Sequence, residues 1–430
     1  MTLIEDRTRL ALYGGAPTIT EKFAEKWPPM TSADAQDVAD MVLRGELSYY
    51  GREGYAKDLE DQFRDYLPCR YALATSSGTA ALHSAFFALN LSPGDEVLAP
   101  TYTFLATVMP LFALNLVPVL VDSDPVTGNM DPDDIERHIG PRTRAIVLTH
   151  MWGIPCDMRR IMQIARKHGI AVVEDCSHAH GAEVDGQRVG TIGDIGAFSL
   201  QGKKLVAAGQ GGMLTCNDRN LFERAVLFGH FKVRSFQDVT SSELKDFGGT
   251  GLGLNYRMHP LAARLAHNQF VRLEEYIDGR RSNFELLSSL LAGIPGVIAP
   301  QVPDYADRCV WYSYKPLFDQ ASLPTVDIDT YVAALRAEGV EIERSETRPL
   351  HCEPIFQGKA HDHVATFGHF DSSKFGGGLR RYKDSDFRGS MVYSSKTLVI
   401  EPYTRKNPKL MHDIAAAFRK VSELAYTLPA

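Results

Sequence analysis

A repeated alternation of short apolar runs and helical stretches, between about residues 70 and 217, constrains the fold more than any other feature of this chain. The apolar runs predict strands at 96–100, 117–122, 145–150, 170–175 and 196–200. The stretches around them predict helices at 79–90, 104–115, 131–139 and 156–169. Continuous apolar strands joined by helices imply right-handed crossovers and a sheet covered on both faces. The sequence therefore predicts an α/β fold with a mostly parallel sheet between helices.

The chain changes character beyond Gly248. Apolar residues from Phe270 to Leu291 recur at three- and four-residue steps with one seven-residue gap, which predicts one long amphipathic helix. Shorter strands and helices follow, with a polar, glycine-rich stretch at 367–390 that we interpret as a loop or an insertion. We therefore expect three parts, an N-terminal segment, a large domain and a smaller C-terminal α/β domain, at 1–50, 51–270 and 271–430.

Composition and charge restrict the function. The 430 residues carry a formal net charge of −7 without a basic stripe to neutralise phosphates, so nucleic acid is not an expected partner. No apolar run is long enough to span a membrane, and the first residues do not resemble a secretory signal. The six cysteines form no C-x-x-C pair, so we expect neither a disulfide framework nor a metal site. These features favour small-molecule chemistry in the cytoplasm.

A candidate phosphate site follows the apolar run 71–74. Ligands of open parallel sheets bind beyond the carboxyl ends of the strands. Ser77, Gly78 and Thr79 lie there and lead directly into a predicted helix. Backbone N–H groups and hydroxyls at a helix N-terminus favour a phosphate. The alternative is an ordinary helix cap, which serine and threonine supply in most helices.

Two other residues follow predicted strands. Asp175 ends the strand at 170–175 and needs a cation or several donors if its carboxylate is to stay charged. It is either a capping residue or the partner of a positively charged nitrogen. Phe104 comes after the strand at 96–100, and its ring belongs either to the core or to a surface that stacks on a flat ligand.

The adjacent lysines Lys203 and Lys204, in FSLQGKKLVAAGQGG, are either solvated cations or include a buried nucleophile. Neighbouring side chains of an extended segment point to opposite faces, so only one of the two can enter a site. A phosphate site, an aromatic ring, a carboxylate and a lysine are together what pyridoxal 5′-phosphate needs. They would anchor its phosphate, stack on its ring, hold its ring nitrogen protonated and bind its aldehyde. The ordered set predicts an enzyme that uses this cofactor.

The chain resembles the DegT/StrS-type sugar and cyclitol aminotransferases in a series of motifs: YGGAP, SSGTAAL, GDEVLAPTYTFLAT, VEDCSHAHGA, VGTIGDIGAFSLQGKKLVAAGQGG and GLNYRM. These are fold-type I, aspartate aminotransferase-like, pyridoxal phosphate enzymes. The resemblance covers most of the chain. It implies the same fold and cofactor, and a homodimer with shared active sites.

The resemblance also implies roles for individual residues. The family's Schiff-base lysine lies five residues after the serine of an F-S motif, and counting from Ser199 gives Lys204. Asp175 should pair with the pyridine nitrogen, and His178 should lie beside the ring hydroxyl. The remaining cofactor contacts implied are the phosphate ligands Ser77, Gly78, Thr79 and Ser199, the stacking ring of Phe104, and Asn255, which would reach the phosphate across the dimer interface unless it is a simple turn residue.

One position departs from the family pattern. Where the family usually has the glutamate of G-E-G-G, this chain has Gln210. The amide removes a charge near the reactive lysine, which bears on the lysine pKa and on the amino donor. The change puts the substrate and the rate in question rather than the reaction class.

We expect an aminotransferase that moves the amino group of glutamine or glutamate to a keto-cyclitol or keto-sugar, in antibiotic or aminosugar biosynthesis. The residues around Gln201 and the polar insertion at 355–390 favour this acceptor over a keto-sugar nucleotide. Fold alone does not choose between the two. The arginines near the expected mouth would bind a diphosphate or the donor's carboxylate, or lie in solvent: Arg257, Arg380 and Arg381.

Three other classes are alternatives. A pyridoxamine-dependent lyase shares the scaffold, but such relatives carry histidine in place of the lysine. A non-catalytic cofactor-binding regulator is excluded only weakly. A nicotinamide dehydrogenase is disfavoured, because the glycines of GGTGLGLN neither follow a strand nor open a helix.

Overall fold

The computed structural model describes residues 9–21, 23, 25–357 and 382–428. The helices of these ranges are α1 (Ser32–Arg44), α2 (Gly54–Tyr66), α3 (Gly78–Ala88), α4 (Met109–Ala113), α5 (Pro132–His138), α6 (Met158–His168), α7 (Arg219–Gly229), α8 (Val233–Asp238), α9 (Pro260–Val271), α10 (Leu273–Leu291), α11 (Ile328–Ala337), α12 (Arg388–Lys396) and α13 (Pro408–Glu423). The strands are β1 (Tyr71–Thr75), β2 (Glu96–Pro100), β3 (Val117–Val121), β4 (Thr143–Thr149), β5 (Ala171–Asp175), β6 (Glu183–Val184), β7 (Gln187–Arg188), β8 (Ile195–Ser199), β9 (Gly212–Cys216), β10 (Val297–Ile298), β11 (Ala306–Arg308), β12 (Leu317–Phe318), β13 (Ile342–Arg344) and β14 (Leu398–Ile400).

A seven-stranded sheet, in the order β1-β9-β8-β5-β4-β2-β3, forms the centre of the fold. β9 is antiparallel to β1 and β8, whereas the other neighbouring strands are parallel. Alternate residues of each strand enter different cores. In β4, Ile146 and Leu148 pack with α2, α6 and α9, while Ala145 and Val147 pack with α3, α4 and α7. The sheet is therefore covered on both faces, as the continuous apolar runs predict.

The five predicted strands are confirmed as β2, β3, β4, β5 and β8, and three of the four predicted helices as α3, α5 and α6. The helix predicted at 104–115 is wrong as a single element. A 3₁₀ turn at Leu105–Thr107 precedes the short α4, whose first turn contains Pro110. Proline lacks the N–H that a continuing helix would need, so a new helix begins there. The sequence reading missed β9.

The long helix predicted from Phe270 to Leu291 is also two helices. Phe270 belongs to α9, and α10 begins after Arg272, whose φ of −95° and ψ of 2° interrupt the helix. The Arg272 guanidinium donates to Asp34 of α1 at 2.8 Å, which holds the junction against the N-terminal part of the chain. The apolar residues on either side of the break, Phe270 and Leu273, pack in the same core, so the spacing does not reveal it.

A further core lies in the C-terminal part, where α10, α11 and α13 enclose the pair β13–β14. Leu10 is buried in this core, so the start of the described chain packs against its end. The domain boundaries at 50 and 270 stay predictions. Most of the polar stretch at 355–390 lies outside the described residues; its described end contains a 3₁₀ turn at Asp384–Asp386 and the start of α12.

The described helices include none that is both long and apolar enough to cross a lipid bilayer. The six cysteines are free thiols.

Candidate active site

The carboxyl edge of the sheet brings three chain segments together. Thr75 at the end of β1 pairs with Gly212 at the start of β9, and Gly212 pairs with Ser199 at the end of β8. Because β9 runs antiparallel to both, its first residue lies at the edge where they end. The connection from β8 to β9, which contains Lys204, therefore leaves and re-enters the sheet at this edge.

The N-terminus of α3 lies against this edge. Ser77 caps the helix by accepting a hydrogen bond from the Ala80 N–H at 3.0 Å. A Cβ on Gly78 would lie 2.8 Å from Ser199 Cβ, and one on Gly212 would lie 2.3 Å from the Ser77 carbonyl oxygen. These approaches require glycine at both positions. They place Ser77, Gly78 and Ser199 together at the positive end of an eleven-residue helix, with Thr79 exposed beside them.

Asp175 is 4% exposed at the end of β5. The Thr107 hydroxyl donates to one of its oxygens at 2.7 Å, and the Ser177 N–H donates to the other at 3.0 Å. Phe104 begins the 3₁₀ turn that carries Thr107, and its ring is 63% exposed. The ring therefore lies outside the core, and its predicted stacking on a ligand stays a prediction.

Glu174, the neighbour of Asp175, points to the opposite face of the sheet. Its two carboxylate oxygens accept the backbone N–H groups of Gly190, Ile192 and Gly193 at 2.6–2.9 Å. His150 Nε2 lies 3.1 Å from one of these oxygens, while His150 Nδ1 accepts the Cys156 N–H. Both ring nitrogens of His150 thus have hydrogen-bond partners. This network holds the turn before β8, and the sequence reading did not identify it.

His178 lies in a group of nearly parallel rings. Its imidazole stacks on Tyr312 with a centroid distance of 4.1 Å and on Trp152 at 5.3 Å. Burial, with the charges of Lys204 and Lys315 nearby, holds the pKa of His178 well below its ordinary value, so the ring is neutral at neutral pH. Its Nδ1 atom is buried without a hydrogen-bond partner in the described part of the chain.

The two adjacent lysines differ in environment. Lys203 is exposed, whereas Lys204 is half-buried, with Nζ 4.5 Å from the centroid of the Tyr312 ring. Burial lowers the pKa of Lys204 to about 8, partly offset by the Asp175 carboxylate. The sequence analysis assumed that the segment with Lys203 and Lys204 is extended, and this assumption is wrong. The segment is a turn in which the Lys204 N–H donates to the Gln201 carbonyl at 2.8 Å.

Tyr312, Trp152 and Lys315 are parts of this site that the sequence reading missed. Lys315 is 7% exposed, with Nζ 3.9 Å from the centroid of the Trp152 ring. Burial lowers its pKa to about 8. A lysine within the apolar run VWYSYKPLF was the available signal, since lysine is rarely buried without a role.

Asn255 and Arg257 lie beside the α3 N-terminus of their own chain. Arg257 pairs with Thr75 in a β-bridge, and the Asn255 side chain is exposed and accepts the Arg257 N–H at 3.4 Å. The Arg257 guanidinium lies over Tyr50 and Phe231. Gln210 is exposed in the β8–β9 connection. Two arginines of the predicted mouth lie outside the described residues: Arg380 and Arg381.

These groups suit pyridoxal 5′-phosphate. The glycine-lined helix N-terminus suits a phosphate, and the unpartnered His178 Nδ1 suits a ring substituent. The Lys204 amine, with a lowered pKa, and the buried Asp175 carboxylate lie near each other in the same site. The fold and these side chains define a pyridoxal phosphate-dependent enzyme of fold type I.

The comparisons with known proteins identify the family. The chain belongs to the DegT/DnrJ/EryC1/StrS aminotransferase family, whose sequence profile matches residues 29–372. It is therefore a pyridoxal phosphate-dependent aminotransferase, as predicted. It is 32% identical over 360 residues to the L-glutamine:2-deoxy-scyllo-inosose aminotransferase of Streptomyces kanamyceticus, covering 81% of this chain and 83% of that protein.

Two other similarities concern sugar enzymes. The chain is 32% identical over 320 residues to the GDP-perosamine synthase of Caulobacter vibrioides, covering 74% of this chain and 81% of that protein. A crystal structure of DesI, determined in the presence of its TDP-sugar product, superposes with a TM-score of 0.76 at 25% identity. That superposition covers 97% of this chain and 98% of DesI.

Proposed function

We propose that this aminotransferase moves the amino group of glutamine or glutamate to a keto-cyclitol or a non-nucleotide keto-sugar, in the biosynthesis of an antibiotic or another aminosugar-containing product in the cytoplasm. The observation that carries the chemistry is the half-buried Lys204 amine, whose pKa is lowered to about 8, close to a buried carboxylate and an unpartnered histidine. The glutamine-dependent cyclitol relatives support the choice of donor and acceptor.

When bound, the cofactor would supply an electron sink for the electron pair left behind when the donor loses its α-proton. Lys204, as a neutral amine in a site shielded from water, takes that proton and returns it. Asp175 keeps the ring nitrogen protonated, because a carboxylate stabilises the neighbouring positive charge. Neutral His178 would lie beside the ring hydroxyl of the bound cofactor. The other cofactor contacts are the phosphate ligands Ser77, Gly78, Thr79 and Ser199 and the stacking ring of Phe104.

The acceptor is tested by incubating the purified enzyme with glutamine or glutamate and a panel of ketones, with the products read by mass. The panel contains keto-cyclitols and the 3- and 4-keto sugar nucleotides. We expect amination of a keto-cyclitol or a free keto-sugar, without competition from uridine or thymidine diphosphate. Strong inhibition by either nucleotide, or amination of the sugar nucleotides alone, would favour the GDP-perosamine synthase type of substrate and leave the aminotransferase class intact.

The active unit is proposed to be a homodimer in which Asn255 of one chain completes the phosphate site of the other. The exposed Asn255 side chain, free to contact another chain, supports this proposal. Mixing the inactive variants Lys204→Ala and Asn255→Ala should restore part of the activity, because one site of a mixed dimer would contain both intact residues. Subunit exchange without recovered activity would place the whole site within one chain.

A further inference from the structure

Lys315 is a second lysine of the site, and the chemistry described so far does not use it. It follows Tyr312 in a segment that crosses from the C-terminal core to the sheet edge. The Val310 and Tyr312 N–H groups donate to the carbonyls of Gly153 and Trp152 at 3.0 and 2.9 Å. A Cβ on Gly153, whose φ is +88°, would lie 2.8 Å from the Tyr312 nitrogen, so glycine permits this close approach.

The two lysines lie against the same group of rings. Lys204 Nζ is over Tyr312, and Lys315 Nζ is over Trp152, whose ring plane is within 13° of that of Tyr312. The charges of both lysines lower the pKa of His178, which stacks on both rings. Both amines therefore lie near the His178 ring.

Lys315 lacks the partner that a buried ammonium normally has. Within the described part of the chain, no carboxylate oxygen lies within ion-pair distance of Lys315 Nζ, and no hydrogen-bond acceptor contacts it. Glu343 and Glu401 act on it only through longer-range charge, and both are exposed. A buried cation without a partner is costly unless a ligand supplies the anion.

We propose that Lys315 binds the α-carboxylate of the amino-acid donor. Every amino-acid donor carries that group, whereas a cyclitol ketone is uncharged, so only the donor supplies an anion that matches this ammonium. The position of Lys315 beside Trp152 and His178 places the carboxylate at the rim of the reaction site, while Lys204 is free to act at the α-carbon. This inference rests on the proposed use of glutamine or glutamate.

A binding experiment with unreactive ligands tests the proposal. Glutaramate is glutamine without its α-amino group, and glutaramide has an uncharged amide in place of the carboxylate. Calorimetry on the holoenzyme should show that the wild type binds glutaramate at least about tenfold more tightly than glutaramide, since a hydrogen bond to a charged group has that order of effect. Lys315→Met and Lys315→Gln should lose this preference, and Lys203→Met, an exposed control, should keep it.

The two half-reactions provide a second measurement. With glutamine, Lys315→Met should need a donor concentration at least about tenfold higher for half-maximal bleaching of the yellow enzyme. Amination of the ketone by the pre-loaded amino form should be reduced less than the half-reaction with glutamine. The thermal unfolding midpoint of Lys315→Met should be unchanged or higher than that of the wild type, because the variant removes a buried charge that has no ion-pair partner among the described residues.

The outcomes separate this inference from the proposed function. If wild-type enzyme is not bleached by glutamine or glutamate, the proposed donor is wrong. If the wild type is bleached but Lys315→Met and Lys315→Gln retain the carboxylate preference, Lys315 does not bind the donor. An equal loss in both half-reactions, or a strongly lowered unfolding midpoint, would identify Lys315 as a structural residue and overturn the inference.

Discussion

The two sides of β5 use adjacent acids in opposite ways. On one side, Glu174 accepts three backbone N–H groups and faces His150, and its network closes on itself. On the other side, within the described ranges, Asp175 lies in a site where the His178 Nδ1 atom is buried without a hydrogen-bond partner and the Lys315 amine has a ring contact but no ion pair. Both acids are buried, so burial alone does not distinguish a functional carboxylate from a structural one.

The difference lies in the groups around each acid. A network that stabilises the fold satisfies its own donors and acceptors, because an unpaired buried polar group costs about 1–3 kcal/mol. A site that binds a ligand leaves such groups for the ligand to satisfy. The comparison predicts that substitutions on the Asp175 side reduce activity, and that substitutions on the Glu174 side reduce stability.

The largest effect is expected for Lys204→Ala. Turnover should fall by about 10⁴-fold, the upper range for one positioned acid–base group. The yellow absorbance of lysine-bound cofactor should disappear from the purified protein, while Lys203→Ala keeps both properties because that side chain is exposed. A colourless Lys203→Ala protein would show that Lys203, and not Lys204, binds the cofactor. Absorbance spectra and steady-state rates measure both variants.

Asp175→Asn should reduce turnover by about 100-fold or more, because an amide does not hold the ring-nitrogen proton as a carboxylate does. Some cofactor should stay bound. Stability should change little, since the amide can still accept the Ser177 N–H and can donate to the Thr107 oxygen. Rates and denaturant unfolding test this prediction, and wild-type turnover would contradict the assigned role.

Glu174→Gln is the matched change one residue earlier. Either orientation of the new amide places an NH₂ group against a donor, because each carboxylate oxygen accepts at least one backbone N–H. The free energy of unfolding should fall by about 1–3 kcal/mol. Turnover per folded molecule should change less than in Asp175→Asn. The reverse ranking of the two variants would remove the distinction between the two sides of β5.

The smallest effect concerns pH. Since burial lowers the pKa of Lys204 to about 8, its amine loses the proton at a lower pH than an unperturbed lysine. The neutral form that attacks the cofactor aldehyde therefore increases as the pH rises and saturates above about 8. The rate of cofactor attachment to the apoprotein, followed by absorbance, should show this plateau. A rate that keeps rising to pH 10 would indicate an exposed lysine.

The sequence predicted much of the sheet, because continuous apolar strands and the helices between them are local, periodic signals. It missed β9, in which Gly212 and Thr215 interrupt a short apolar run. It also joined α9 and α10, since apolar spacing does not register the break at Arg272. In the site, the positions at the ends of strands pointed to Ser77, Gly78 and Asp175. The role of Glu174 was missed, because its partners are backbone N–H groups that only the folded structure brings to it.

The sequence by itself determined the family and the α/β fold, and it predicted Lys204 rather than Lys203 as the reactive lysine, because motifs and strand ends are properties of neighbouring residues. Only the tertiary structure decided that β9 returns antiparallel to the site edge and that Trp152, Tyr312 and Lys315 stand beside His178. Those contacts join segments far apart in the chain, and their geometry depends on how the C-terminal core packs against the sheet. The local pattern of residues does not predict which distant segment a side chain contacts.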